Sequence, residues 1–137
     1  MIYVFSLLAM IFLHIVDDYY LQGVLAKMKQ KQWWKDNAPD KMYKNDWLPA
    51  LIAHAFSWTF MIMLPAAAAI ILLGAGIAPL IMYCVAFAMN WFLHAFVDHY
   101  KANDKTINLI DDQFVHLLQI ISTWLLVVLP TLIAAGI

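Results

Sequence analysis

Four long apolar stretches divide this chain, and they leave few folds open to it. They cover about residues 2–21, 47–73, 80–100 and 113–135. A bilayer core about 30 Å thick takes about 20 helical residues, so each stretch is long enough to span it. The predicted fold is therefore all-α, a four-transmembrane-helix bundle forming a single integral membrane domain over residues 1–137. Composition agrees, with 65% of residues hydrophobic and 12% charged, whereas a soluble domain is about one quarter charged. Nothing basic precedes the apolar run from Met1 to Leu13, and no small-residue cleavage site follows it. It reads as a retained span and not as a removed signal peptide.

The connections are unequal. Residues 22–46 and 101–112 are polar, whereas Gly74, Gly76 and Pro79 mark a short uncharged turn. Pro65 and Pro130 are expected kinks within their spans. All eight basic residues are Lys, and all fall in the two polar connections: Lys27, Lys29, Lys31, Lys35, Lys41, Lys44, Lys101 and Lys105. With four spans these connections share one side, and the bias of cytoplasmic loops toward Lys places that side in the cytoplasm. Both termini are then expected outside it, in a bacterial inner membrane.

A net charge of −1 gives no field that would attract nucleic acid. The lone Cys84 can form no internal disulfide and is expected as buried filler in the third span. The run from Lys27 to Lys35 mixes lysines with Trp33 and Trp34. That composition suits a segment lying among lipid headgroups. A protein partner meeting the same loop, and self-association, remain open.

Three pairs carry the chemistry. His14 precedes Asp18, His94 precedes Asp98, and Asp112 precedes His116, each by four positions. Residues four apart share a helix face, so each pair can aim an imidazole and a carboxylate at one point. Chance placement would give about 0.7 such pairs in a chain of this composition. In an alternating bundle these pairs and His54 all come to the same end, near the cytoplasmic surface. Facing His and carboxylate side chains are how helical bundles hold metals. Asp within a span costs a few kcal/mol, which a divalent cation offsets. His and Asp without thiolates suit Zn²⁺ first, with Mn²⁺ or Fe as alternatives. The set His14, Asp18, His54, His94, Asp98, Asp112 and His116 exceeds one tetrahedral shell, so two ions bridged by an Asp would use it better.

Neighbouring polar residues extend these faces. Gln22, Asn90, Gln119 and Thr123 are expected to orient ligands or to bond between helices. Asp17, His99 and Asp111 lie beside the ligand positions but off their faces. Asp17 and His99 are the expected proton acceptors if the site is catalytic, with solvated surface positions as the ordinary alternative.

The segment from His14 to Gln22 resembles the H-x3-D-[FY]-x-L-Q opening of a family of small bacterial and phage membrane proteins of unknown function. His54 fits that family's isolated second-helix His. His94 to Asp98 with Lys101 resembles its H-x3-D-x2-K element, and Asp112 to His116 its D-Q-x2-H element. The doubled acid Asp17-Asp18 departs from the opening motif, and spacing selects Asp18. More loosely, the pattern is similar to membrane-bound metal-dependent hydrolases. That similarity implies a metal-activated water attacking a phosphoester, acyl or amide bond of a lipid-linked or membrane-proximal substrate.

Two other functions fit the same residues. A non-enzymatic membrane module could use the His/Asp cluster only to hold its helices together. An ion or proton transporter would need polar residues through the opposite half of the bilayer. There Leu125 to Ala135 offers only Thr131, and Ile62 to Leu73 offers none.

Overall fold

The computed structural model describes residues 1–137, and its regular elements are all helices. The elements are α1 (Ile2–Leu21), α2 (Leu25–Met28), α3 (Lys31–Asn37), α4 (Trp47–Leu72), α5 (Ile77–Asp104) and α6 (Leu109–Ala134). Helices α1, α4, α5 and α6 are long and apolar enough to cross a membrane.

Helix α4 is the centre of the bundle, packing against α1 and α5, while α6 closes the ring against both. Its buried residues Ala50, His54, Trp58, Ile62, Ala66 and Ile70 repeat at helical spacing. Met10, Trp58, Ile62, Met63, Ala66, Ile120, Val127, Val128 and Leu132 form the apolar core. The outside is ringed by large apolar side chains, among them Phe5, Phe12, Phe60, Phe92, Phe96, Phe114 and Leu126. The inside holds His14, Asp17, His54, Asn90, His94, Asp98, Asp112 and His116. A water-soluble bundle would reverse this arrangement. Cys84, expected to be buried, lies on the exposed outer surface of α5, because only the opposite stripe of that helix meets its neighbours.

The helix ends depart from the hydropathy boundaries. The third span, expected over 80–100, is helical over Ile77–Asp104, and the fourth begins at Leu109 instead of 113. Charged residues leave the bilayer without ending a helix, since its backbone bonds continue in the headgroup zone. What ends α5 is Lys105, in the left-handed conformation with φ +56°. What starts α6 is Asn108, whose side chain accepts from the backbone N–H groups of Ile110 and Asp111, while Asp111 accepts from the Asn108 N–H. The second polar connection is therefore short, and α5 and α6 stay tightly paired at the end that carries the site.

At the other end, Gly74 takes φ +61°. The Gly74 and Ala75 N–H groups bond back to Ile71 and Ile70 at 3.3 and 3.0 Å, closing α4. Pro79 belongs to the first turn of α5, where its missing N–H leaves no bond unmade. Pro65 sits within a continuous α4. Pro130 follows a widened i→i+5 turn over Trp124–Val128 that accommodates its ring. Similar wide turns occupy Val16–Leu21 and Tyr100–Asp104, both at the polar end, and such turns are frequent at functional sites.

Candidate metal centre

Each long helix sends titratable side chains to the polar end of the bundle. Helix α4 delivers His54, and α5 delivers His94 and Asp98 one turn apart. Helix α6 delivers Asp112 and His116, and the wide turn of α1 delivers Asp18.

Their ligand atoms converge. His94 Nε2 lies 3.1 Å from His54 Nε2. His54 Nε2 lies 2.9 Å from Asp98 Oδ2 and 3.6 Å from Asp18 Oδ1. His94 Nε2 is 3.6 Å from Asp98 Oδ2. His116 Nε2 is 3.3 Å from Asp112 Oδ1 and 3.6 Å from Asp98 Oδ1. Three sets share members: Asp18, His54 and His94; His94, Asp98 and His116; Asp18, Asp112 and His116. Tetrahedral ligation with bonds of about 2.0–2.1 Å puts neighbouring ligand atoms about 3.3 Å apart. The observed separations bracket that value.

Unpartnered atoms test the fit to a cation. His116 Nδ1 lies 3.2 Å from Gln119 Oε1, and its Nε2 faces the carboxylates of Asp112 and Asp98. Neither His116 Nε2 nor Asp112 Oδ1 has a hydrogen-bond partner, although both are buried. An imidazole nitrogen buried against carboxylate oxygens calls for a positive charge, either a proton on the ring or a cation between the groups. The His/Asp groups could thus hold a metal ion, and the donor set fits one.

Two ammonium groups already balance part of this charge. Lys29 Nζ pairs with Asp98 Oδ2 at 2.6 Å, and Lys101 Nζ with Asp112 Oδ2 at 2.5 Å. Lys29 comes from the connection after α2 and is itself buried. Asn103 anchors that connection by donating to the Lys29 carbonyl at 3.0 Å and accepting from the Lys31 N–H at 2.7 Å. Trp34 donates to the Met28 carbonyl at 2.7 Å and stacks near Tyr43, and Lys31 lies over the Trp47 ring.

An outer layer holds the ligands in place. Gln113 donates to Asp18 Oδ2 at 2.9 Å and to Asp112 Oδ2 at 3.1 Å. Gln22 donates to the Asp18 carboxylate. His14 belongs to none of the three converging sets, because both its ring nitrogens are engaged. Trp58 Nε1 donates to His14 Nδ1 at 2.7 Å, and His14 Nε2 then donates to Gln113 Oε1 at 3.0 Å. His14 thus acts on the cluster by fixing Gln113. Trp58 also stacks on His94 with centroids 4.1 Å apart, and His94 stacks on His116 at 4.2 Å. Behind His116, Gln119 reaches the Asn90 carbonyl at 3.3 Å, and Asn90 donates to Thr123 at 2.7 Å.

Asp17 and His99, the expected proton acceptors, stand apart from the converging sets. Asp17 is buried against α4, accepting from Ser57 Oγ at 2.6 Å. His99 packs on Trp47 and faces Asp104 at 3.4 Å. Sequence reasoning missed Lys29, Ser57 and Trp58. Gln113 was visible inside the D-Q-x2-H element, but its bridging role was not.

The cluster opens outward through Asp18 and Asp98 into a cavity of about 530 Å³, whose wall includes Lys29, Lys101, Lys105, Gln22 and Gln113. Fold and site together define a membrane-type four-helix bundle with a buried His/Asp cluster able to take a metal. No protein-family model, no curated protein and no solved structure matches this chain.

Proposed function

We propose that this is an integral membrane, metal-dependent hydrolase acting on a membrane-proximal or lipid-linked substrate. The observation that carries the reading is the convergence of buried His and Asp ligand atoms, two of them unpartnered, at the floor of a lysine-walled cavity. Bound divalent cations, Zn²⁺ first and Mn²⁺ or Fe as alternatives, would supply Lewis acidity and an activated water. Asp98, Asp112, Asp18, His54, His94 and His116 would hold them, with room for two. Gln113 and Gln22 fix the carboxylates, and Trp58 with His14 fixes Gln113. Lys101 and Lys105 draw an anionic substrate to the opening. The lysine distribution supports a cytoplasmic site in a bacterial inner membrane, and the resemblance to small bacterial and phage membrane proteins fits that setting.

A transporter fits less well. The polar line from His116 ends at Thr123, and beyond it the interior is closed by Ile62, Met63, Val127 and Val128. A structural role for the cluster draws on one observation: Lys29 and Lys101 already neutralise two carboxylates.

Elemental analysis of protein purified in detergent separates these readings. The hydrolase reading expects stoichiometric metal in wild type and its loss in His116→Ala and Asp98→Asn. It also expects hydrolysis of a phosphoester or ester lipid panel that chelation abolishes and metal restores. Wild type without stoichiometric metal after reconstitution with Zn²⁺, Mn²⁺ or Fe²⁺ overturns it.

A further inference from the structure

A second cavity, of about 550 Å³, lies on the outer surface between α1 and α6. Its walls are mainly apolar, with Ile11, Ile15, Tyr20 and Leu117. Its position is unusual because it reaches inward to His14 and Gln113, the residues that brace the cluster. Tyr19 and Gln113 line both this groove and the lysine-walled cavity. A polar chamber and an apolar groove therefore meet at two shared side chains.

The charge in the chamber depends on what the carboxylates hold. Asp18 and Asp98 line the chamber with Lys29, Lys101 and Lys105, and Asp112 pairs with Lys101 beside it, so three acids balance three ammonium groups. Each divalent cation adds two positive charges. It also takes over the neutralisation of Asp98 and Asp112, so the ammonium groups of Lys29 and Lys101 lose their claim on those carboxylates. The metal-loaded chamber is then strongly positive. It is sized for a headgroup and adjoins the apolar groove at Tyr19 and Gln113.

We propose that chamber and groove form one bipartite site for a single amphiphile, a phosphate-bearing membrane lipid that enters sideways between α1 and α6. The phosphate sits among Lys29, Lys101 and Lys105, and an acyl chain lies along Ile11, Ile15 and Leu117. This inference rests on the metal-dependent reading above and names its substrate class. Phosphate suits a cluster of point-charge lysines lacking the planar fork of Arg, since lysine ammoniums bind it without bidentate geometry. Lys105 is the discriminating residue. It lines the chamber, contacts no carboxylate in the cluster, and holds a left-handed conformation that Asn tolerates.

The test uses metal-loaded full-length protein in mixed detergent micelles, with metal content measured for every variant. Binding of dioleoylphosphatidylglycerol is compared with that of dioleoylglycerol and of water-soluble glycerol 3-phosphate. The expected result is that the phospholipid binds about tenfold or more tighter than either fragment, and that chelation removes this preference. Lys105→Asn is expected to weaken phospholipid binding about tenfold at unchanged metal content. Ile15→Trp, which fills the groove, is expected to weaken the phospholipid but not glycerol 3-phosphate. Glycerol 3-phosphate matching the phospholipid would assign the chamber to a soluble phosphate and overturn the proposal. Dioleoylglycerol matching it would reduce the groove to ordinary lipid contact and overturn it equally. Either result with stoichiometric metal present leaves the metal-dependent reading standing. Absence of metal from wild type removes both.

Discussion

The Nε2 atoms of His54 and His94 face each other at 3.1 Å, and the nearer oxygen of Asp98 stands 2.9 Å from the first and 3.6 Å from the second. Three groups from two helices thus point at a shared space. If neither nitrogen carries a proton, two lone pairs oppose each other in a buried site, and a cation between them resolves the conflict.

Overlap among the three ligand sets ranks the histidines. His54 belongs to one set, whereas His116 belongs to two. His116→Gln should therefore strip more metal than His54→Gln, both variants keeping a polar side chain of similar length. Elemental analysis after equilibration with a fixed free-metal buffer reads the difference. Equal losses, or the reverse order, would mean the sets do not share ions as the distances suggest.

Gln113 tests the outer layer. It bridges Asp18 and Asp112 and accepts from His14. Gln113→Leu removes one restraint from each carboxylate, leaving Gln22 on Asp18 and Lys101 on Asp112, and leaves His14 Nε2 without an acceptor. Metal affinity should fall by about 10–100-fold, the usual effect of removing a residue that orients ligands. Competition against a fluorescent chelator measures it. An unchanged affinity would show that Gln22, Lys101 and the helices themselves hold the carboxylates without Gln113.

The contacts around the cluster mark where the sequence was readable. The pairs His94/Asp98 and Asp112/His116 lie within regular helix, and each makes the contact its spacing of four predicts. The pair His14/Asp18 has the same spacing, yet no ion-pair contact joins it. Between the two begins the wide turn Val16–Leu21, which changes the angular step along the helix. A count of positions assumes regular pitch and cannot register that change. The turn also carries Asp17 inward to Ser57, where regular periodicity placed it off the face. Lys29 was hidden for a different reason. It lies 69 positions from Asp98, and its place is set by the docking of a short connection through Asn103. No local pattern encodes that contact. The four spans were legible because hydropathy integrates over many residues, while their exact ends depended on Asn108 and Lys105, which hydropathy does not weigh.

Lys29 gives the third prediction. Its ammonium and the Asp98 carboxylate are a buried pair, and deleting one partner of such a pair costs about 3–5 kcal/mol. Lys29→Met should lower the stability of metal-free protein by that order. A divalent cation restores a partner to Asp98, so saturating metal should raise the thermal midpoint more in the variant than in wild type. Equal metal-induced shifts in the two proteins would show that Lys29 and the metal do not compete for the same carboxylate.

Asp17 separates packing from chemistry. One oxygen accepts from Ser57 at 2.6 Å, and the other has no hydrogen-bond partner although the residue is buried. Ser57→Ala removes the sole hydrogen bond this carboxylate makes. It should destabilise the protein by about 1–3 kcal/mol, the cost of an unsatisfied buried group. Asp17→Asn, which keeps shape while removing charge, should leave metal content unchanged, since Asp17 belongs to none of the converging sets. Denaturation in mixed micelles reads the first effect, and elemental analysis reads the second. Loss of metal from Asp17→Asn would move this residue from the packing of α1 on α4 into the metal centre. A carboxylate that carries no ligand duty and still tolerates burial beside the cluster would be explained by its contact with α4, through which it fixes the wide turn that presents Asp18.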